Sequence, residues 1–302
     1  PVGMMNLIYF IHHLCKNYGL KKLPTDILNH RELWFVPCVN PDGYVYNQTI
    51  APEGGGMHRK NRKDTNCGEG TTRGIDLNRN FSYKWGANDE GSSPDPCSGL
   101  YRGSEAFSEA ETSVLRDFME GKRFRNVLHY HSYSNLLIHP YGDGSYPPEP
   151  DISIFRQFGR EMTRLNQYHM GTGIETVGYT VNGDAVDYSY EEEGMIAFTP
   201  EVGDFIDGFW PSTNRIGSLC QENLWPNSYF AKVAGTVMRA DFIGLDSLYF
   251  QPGETKTRQV AFRNEGLKKS LGNVMATVSS LNSAVKTDTL FVNLGKVKRR
   301  ES

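Results

Sequence analysis

The stretch Asn126–Ser134, NVLHYHSYS, decides how the rest of the chain is read. It opens as a strand, with Val127, Leu128 and Tyr130 apolar or aromatic and two histidines set among them. His129 and His131 stand two residues apart, so on a strand they share one face. The run then breaks into Ser132, Tyr133 and Ser134. A polar cluster at the end of a buried strand is where open α/β sheets place their ligands. Taken by itself the pattern fits a strand with two hydrogen-bonded histidines equally well, because most histidines are not ligands.

Outward from this strand, apolar runs alternate with helical patterns. Apolar residues from Val2 to Cys15 recur at helical spacing, and Gly19 closes that run as a C-cap. Residues 22–31 read as a polar connection. Leu33–Val39, LWFVPCV, reads as a short buried strand, followed by a turn at Asn40-Pro41-Asp42-Gly43. Residues 44–104 show little regular pattern, and an irregular stretch of that length in a compact domain is usually functional. Ser108–Glu111, SEAE, is the signature of a capping box opening a helix to about Met119. Residues 150–168 are predicted helical, 172–181 extended, 185–193 a short helix, 195–202 an apolar strand ending at a carboxylate, and 220–239 the last helix. The fold predicted for residues 1–242 is therefore α/β, three layers with a central mixed sheet.

Near Phe242 the texture changes. Short strand patterns at 248–250, 259–263, 273–279 and 289–292 are separated by PGE, NEG and SLGN turns, without a helical signal. Residues 243–302 are expected to be part of an all-β, Ig-like sandwich module.

Composition narrows the function classes. The 302 residues are 38% hydrophobic and 22% charged with a net charge of −3, which gives no reason to expect a nucleic-acid or membrane-surface partner. No apolar run approaches the ~18 residues of a membrane span. Cys15 and Cys38 sit in apolar patterns and read as small buried hydrophobes, whereas Cys67 and Cys97 lie in polar loops. Two such loop cysteines fit a disulfide in an exported protein, or two unpaired thiols.

Four polar features ask for one explanation: His131 after a strand, Glu201 at the end of another, Arg59 and Arg62 with Asn78 and Arg79 in the long irregular segment, and Tyr179 before a glycine-containing turn. Histidine at a strand end suits zinc, a buried carboxylate suits a general base, and guanidinium with an amide suits a fixed carboxylate. The sequence resembles the zinc metallocarboxypeptidases of the carboxypeptidase A/B type, and among them the bacterial carboxypeptidase T pattern. The resemblance covers roughly residues 1–242. It rests on NPDGY at 40–44, RKNR at 59–62, DLNRNF at 76–81, HSYS at 131–134, PYG at 140–142, and the 14-residue step from Asp187 to Glu201.

The resemblance implies an exopeptidase that hydrolyses the C-terminal peptide bond of peptides or proteins, with zinc as cofactor. It makes His131 a zinc ligand, Glu201 the general base and Arg62 the group that polarises the scissile carbonyl. Asn78 and Arg79 would clamp the terminal carboxylate, Tyr179 would close over the substrate, and Arg59, Ser132 and Tyr133 would line outer subsites. Cys67 and Cys97 match the family's loop disulfide. Gly142, Ile174, Val181, Asp184, Ala185, Val186 and Thr199 would surround the side-chain pocket. A mainly apolar wall with one carboxylate, Asp184, predicts mixed hydrophobic and basic specificity, unless Asp184 simply caps the helix that begins at Ala185.

The chain departs from the family pattern in one respect. The family's other two ligands come from an H-x-x-E motif before the first helix, and this sequence has none. His12 and His13 lie within the apolar helix and read as structural; His129 reads as packing behind the ligand. The resemblance begins just after the place of that motif, which predicts that the stretch carrying it lies upstream of Pro1. Besides a secreted, monomeric enzyme, two readings stand: a non-catalytic binding domain on the same fold, and a zinc amidohydrolase of that fold acting on peptidoglycan peptides or acyl amino acids.

Overall fold

The computed structural model describes residues 2–68, 70, 72–243, 251–257, 259–280, 282–288 and 291–299. They fall into two compact units, one of Pro1–Thr25 with Leu33–Tyr229, the other of Asp26–Glu32 with Phe230–Ser302.

In chain order the helices are α1 (Val2–Asn17), α2 (Lys22–His30), α3 (Pro41–Ile50), α4 (Ala110–Glu120), α5 (Asp151–Met162), α6 (Gly173–Thr176), α7 (Ala185–Glu191), α8 (Thr213–Glu222) and α9 (Leu224–Val233). The first unit holds a mixed sheet of β1 (Asn126–Leu128), β2 (Leu136–Ile138), β3 (His169–Gly171) and β4 (Ile196–Glu201), in the order β1-β4-β2-β3. β4 runs parallel to β1 and antiparallel to β2, and β2 runs parallel to β3. Ile196, Ala197, Phe198 and Thr199 are all buried, as a strand covered on both faces must be.

Side-chain parity on β1 shows how the two faces are covered. Val127 packs in a cluster with Met119 of α4 and Ala185 and Tyr188 of α7. Tyr130, an odd number of residues on, packs against Val2 of α1, Val202 and Leu219 of α8. Opposite faces of the strand thus carry opposite helical layers, the three-layer arrangement expected.

Several local expectations are corrected. Residues 33–39 join no strand ladder among the described residues, and Trp34, Val36 and Val39 are exposed. An apolar run reports partitioning, but a strand also needs a hydrogen-bonding neighbour. Residues 22–31 contain α2, whose Pro24 and Ile27 are buried; proline is tolerated in a first turn. Asn40-Pro41-Asp42-Gly43 starts α3 instead of a turn. The Asn40 side chain accepts from Gly43 N at 3.0 Å and Pro41 occupies the first turn. The capping box at 108–111 does not form. Glu109 stands at the N-cap, and Ser108 Oγ donates to Glu109 Oε1 while accepting from Asn80 Nδ2. Residues 172–181 include α6, closed by a capping box of Thr172 and Glu175. The helix expected over 220–239 is α8 and α9 broken at Asn223, followed by a strand. Cys15 is exposed because α1 buries the stripe Val2, Asn6, Phe10 and Leu14 instead, and Cys38 is half-buried.

The second unit contains β5 (Met238–Phe242) antiparallel to β6 (Val260–Asn264), and β7 (Val274–Thr277) antiparallel to β8 (Phe291–Gly295). The strand expected at 248–250 lies outside the described residues, as do residues 289 and 290 of the one expected at 289–292. The described residues form two separate strand pairs, not a complete sandwich.

Cys67 and Cys97 form a disulfide that closes a 30-residue separation. Buried Lys60 ties the same two loops, its Nζ donating to Thr72 O at 2.5 Å and to Ser98 O at 2.7 Å. By chain entropy the bridge contributes roughly 3 kcal/mol. The Cys67→Ser/Cys97→Ser protein is expected to unfold at lower denaturant, with a somewhat steeper slope because its unfolded chain is more expanded. A midpoint equal to that of the oxidised protein would show that Lys60 alone holds the loops.

Candidate active site

The cleft forms where β1 and β4 end together. The parallel register carries Leu128 beside Phe198, and beyond the strand ends it brings His131 beside Glu201. His131 N donates to Pro200 O at 2.9 Å and Val202 N to His131 O at 3.0 Å. These bonds fix the two side chains to one floor, with His131 Nδ1 3.8 Å from Glu201 Oε1. Burial lifts the Glu201 carboxyl to about 7 although Arg59 pulls it down. Burial, and then the positive charge of Arg59, lower His131 to about 3, so its imidazole is neutral at physiological pH. Behind it, His129 Nε2 meets Ser189 Oγ at 2.9 Å; that hydroxyl donates to Ala185 O, so the ring nitrogen is the donor.

The opposite wall is the 3-10 turn Leu77–Arg79 and the loop before it. Asp76 organises it. Its side chain accepts from Asn78 N at 3.1 Å and from Arg59 Nε at 2.8 Å. Burial pushes the Asp76 carboxyl up, but Arg59 and Arg79 outweigh it and hold the group below the usual range. Asn78 Oδ1 accepts from Ala185 N at 3.0 Å, which leaves the amide NH2 as the end able to meet an anion. Arg79 is only 2% exposed; Nη1 donates to Asn78 O at 2.7 Å and Nε has no hydrogen-bond partner. A buried guanidinium with an unmet donor, beside a free amide, is a ready receptor for a carboxylate.

Arg59, Asn78, Arg79, His131, Tyr179, Asp184, Val186 and Glu201 all line this cleft. Tyr179 stands on its rim, 55% exposed, one residue after Gly178 at φ +78°. Gly142, Val181 and Thr199 also line it, while Ile174 and Ala185 do not; Ile138, Gly173 and Val177 complete the wall. Asp184 both faces the cleft and caps α7, accepting from Asp187 N at 3.0 Å.

Three expected site residues are not among those lining the cleft. The Arg62 guanidinium lies 3.7 Å from the centre of the Tyr46 ring and donates to Gly70 O at 3.0 Å. Tyr133 packs edge-on against Phe209 and Phe205, with ring centres 4.8 and 5.7 Å away, and neither Tyr133 nor Ser132 lines the cleft. Asp76 was not singled out from sequence; its signal was its place at the head of DLNRNF.

A catalytic zinc needs three protein ligands. Among the described residues no group of three His, Cys, Asp or Glu side chains could hold a metal ion. His131 is one donor with a neutral ring, so the residues present do not by themselves fit zinc.

Comparison with known proteins bears on the same region. The zinc carboxypeptidase family model matches residues 1–225. Mast cell carboxypeptidase A of Homo sapiens is 30% identical over 236 residues, covering 74% of this chain and 54% of its own length. Carboxypeptidase A1 of Mus musculus is 33% identical, covering 71% of this chain and 51% of its own length. Among solved structures, carboxypeptidase A from Helicoverpa armigera superposes with a TM-score of 0.66 at 28% identity, over 76% of this chain and 57% of that one. The crystal structure of thrombin activatable fibrinolysis inhibitor gives 0.65 at 28% identity, over 75% and 57%. The chain spans about half the length of the curated relatives it matches.

Proposed function

The chain belongs to the zinc carboxypeptidase family, and from that premise we propose that it acts in a metallocarboxypeptidase that removes single residues from the C-termini of peptides and proteins. The observation that carries this reading is Arg79, buried in the cleft with Nε unmet, beside the Asn78 amide whose oxygen is already taken. An endopeptidase has no use for a buried carboxylate receptor; an exopeptidase acting at the C-terminus requires one. The terminal carboxylate accepts from Arg79 and Asn78, and the terminal side chain enters the wall of Ile138, Val181 and Val186. Glu201, with its affinity for protons raised, takes a proton from the attacking water and returns it to the departing amine. Arg59, anchored by Asp76, contributes positive charge near the reacting carbonyl. Zinc is the cofactor the family implies, with His131 the one described side chain suited to it. The Cys67–Cys97 bridge suits an oxidising compartment, and we take the site of action to be extracellular.

The test is the product pattern from the full-length protein. Peptides with free C-termini are expected to shorten one residue at a time, read by mass spectrometry. Internal fragments, or cleavage confined to peptidoglycan peptides or acyl amino acids, would replace this reading.

Specificity is expected to be mixed. The wall is apolar apart from Asp184, whose second oxygen is not needed for the cap. Asp184→Asn preserves capping ability but removes the charge. It is expected to lower kcat/KM for C-terminal Arg about tenfold, the scale of one ion pair, and to leave C-terminal Leu nearly unchanged. A parallel fall for both substrates would limit Asp184 to its capping role.

A further inference from the structure

Behind the pocket wall, α7 carries a carboxyl that the reaction does not use. Asp187 is 2% exposed, follows the wall residue Val186, and does not itself line the cleft. Its Oδ2 accepts from Gly142 N at 2.9 Å, and Gly142 does line the cleft. One turn further along α7, Glu191 Oε2 accepts from the Tyr141 hydroxyl at 2.7 Å. Two carboxyls on successive turns of α7 thus hold two consecutive residues of the neighbouring loop. Of the two, Asp187 is the one whose partner reaches the cleft. Burying a carboxyl is costly, and this one satisfies a buried backbone N–H that would otherwise lack an acceptor.

Gly142 is where the backbone segments of the pocket meet. Its carbonyl oxygen accepts from Val181 N at 3.0 Å. A Cβ on Gly142 would stand 2.7 Å from Val181 O, and one on Gly173 would stand 3.0 Å from Gly142 O. Gly142, Val181 and Gly173 therefore touch backbone to backbone, and all three line the cleft. Contacts this close make them move as one piece. Asp184 and Val186 line the same cleft from α7. The Asp187–Gly142 bond joins the three-segment piece to α7.

We propose that Asp187 is a positioning residue that sets the width of the side-chain pocket, and so the size of C-terminal residue accepted, by holding Gly142 at a fixed distance from α7. This rests on the reading of the cleft as a carboxypeptidase pocket. Without the acceptor, the buried Gly142 N–H must find water, and the loop that carries it moves outward. The pocket then admits bulkier side chains and grips medium-sized ones less closely.

Asp187→Leu keeps the branched shape and loses the acceptor, whereas Asp187→Asn keeps both. In the full-length protein, Asp187→Leu is expected to raise the ratio of kcat/KM for C-terminal Trp to that for C-terminal Leu about fivefold, the scale of one lost hydrogen bond. The change should lie mainly in KM. Asp187→Asn is expected to keep the wild-type ratio. Hydrogen exchange at the Gly142 amide should be slow in the wild-type and Asp187→Asn proteins and at least about tenfold faster in Asp187→Leu. Should Asp187→Leu not fold, Asp187→Ser, too short to reach Gly142 N, takes its place with the same expectation. A residue that only stabilises the fold would lower activity on both substrates together, so an unchanged Trp-to-Leu ratio in the folded variant overturns the proposal. So does a wild-type Gly142 amide that exchanges as fast as an exposed one. Absence of any C-terminal release by the wild-type protein would instead sink the carboxypeptidase reading, and the Gly142 exchange rates would still decide whether Asp187 holds the wall.

Discussion

Glu201→Gln in the full-length protein is expected to lose on the order of 10²–10⁴-fold in kcat, the scale of a general base. The carboxyl stands at the end of β4, where its strand pairing with β1 and β2 leaves it no freedom to relocate. Its desolvated environment raises its proton affinity to about 7, matched to taking a proton and giving it back near neutral pH. Glutamine keeps the shape and cannot accept that proton. Bound metal and KM should stay near their wild-type values, because the base acts in the transition state. Near-normal kcat, with metal content verified, would remove Glu201 from the chemistry.

Arg79→Lys is expected to cost on the order of 10²–10³-fold in kcat/KM for peptides with a free C-terminus, the range for breaking a buried, hydrogen-bonded charge pair. Lysine keeps the charge but not the planar fork whose Nη1 is held by Asn78 O and whose Nε awaits a partner. The loss should be mainly in KM, since the carboxylate is bound before and during the reaction. A C-terminally amidated peptide never used the fork, and its slow turnover should hardly change. An equal loss on acid and amide would mean that Arg79 shapes the cleft without reading the carboxylate.

How much of this was legible in the sequence depended on how local the cause is. β4 and α7 were readable because an apolar run ending at Glu201 and a helix headed by Asp184 carry their own signals. The helix α3 was missed because Asn-Pro-Asp-Gly serves a turn and an N-cap with the same chemistry. Residues 33–39 misled because hydrophobicity says nothing about which strand is available to pair. Asp76 and Asp187 are held by neighbours distant in sequence, Arg59 for one and Gly142 for the other. The cleft around His131 and Glu201 came from ordered motifs, whereas the position of Arg62 against Tyr46 had no sequence signal.

The most direct measurement compares two peptides of one sequence, one ending in a free carboxylate and the other in a carboxamide, with the full-length protein. Carboxylate capture by Arg79 and Asn78 predicts kcat/KM at least on the order of 10²-fold higher for the acid, with only the terminal residue released. Equal rates on acid and amide would contradict the account.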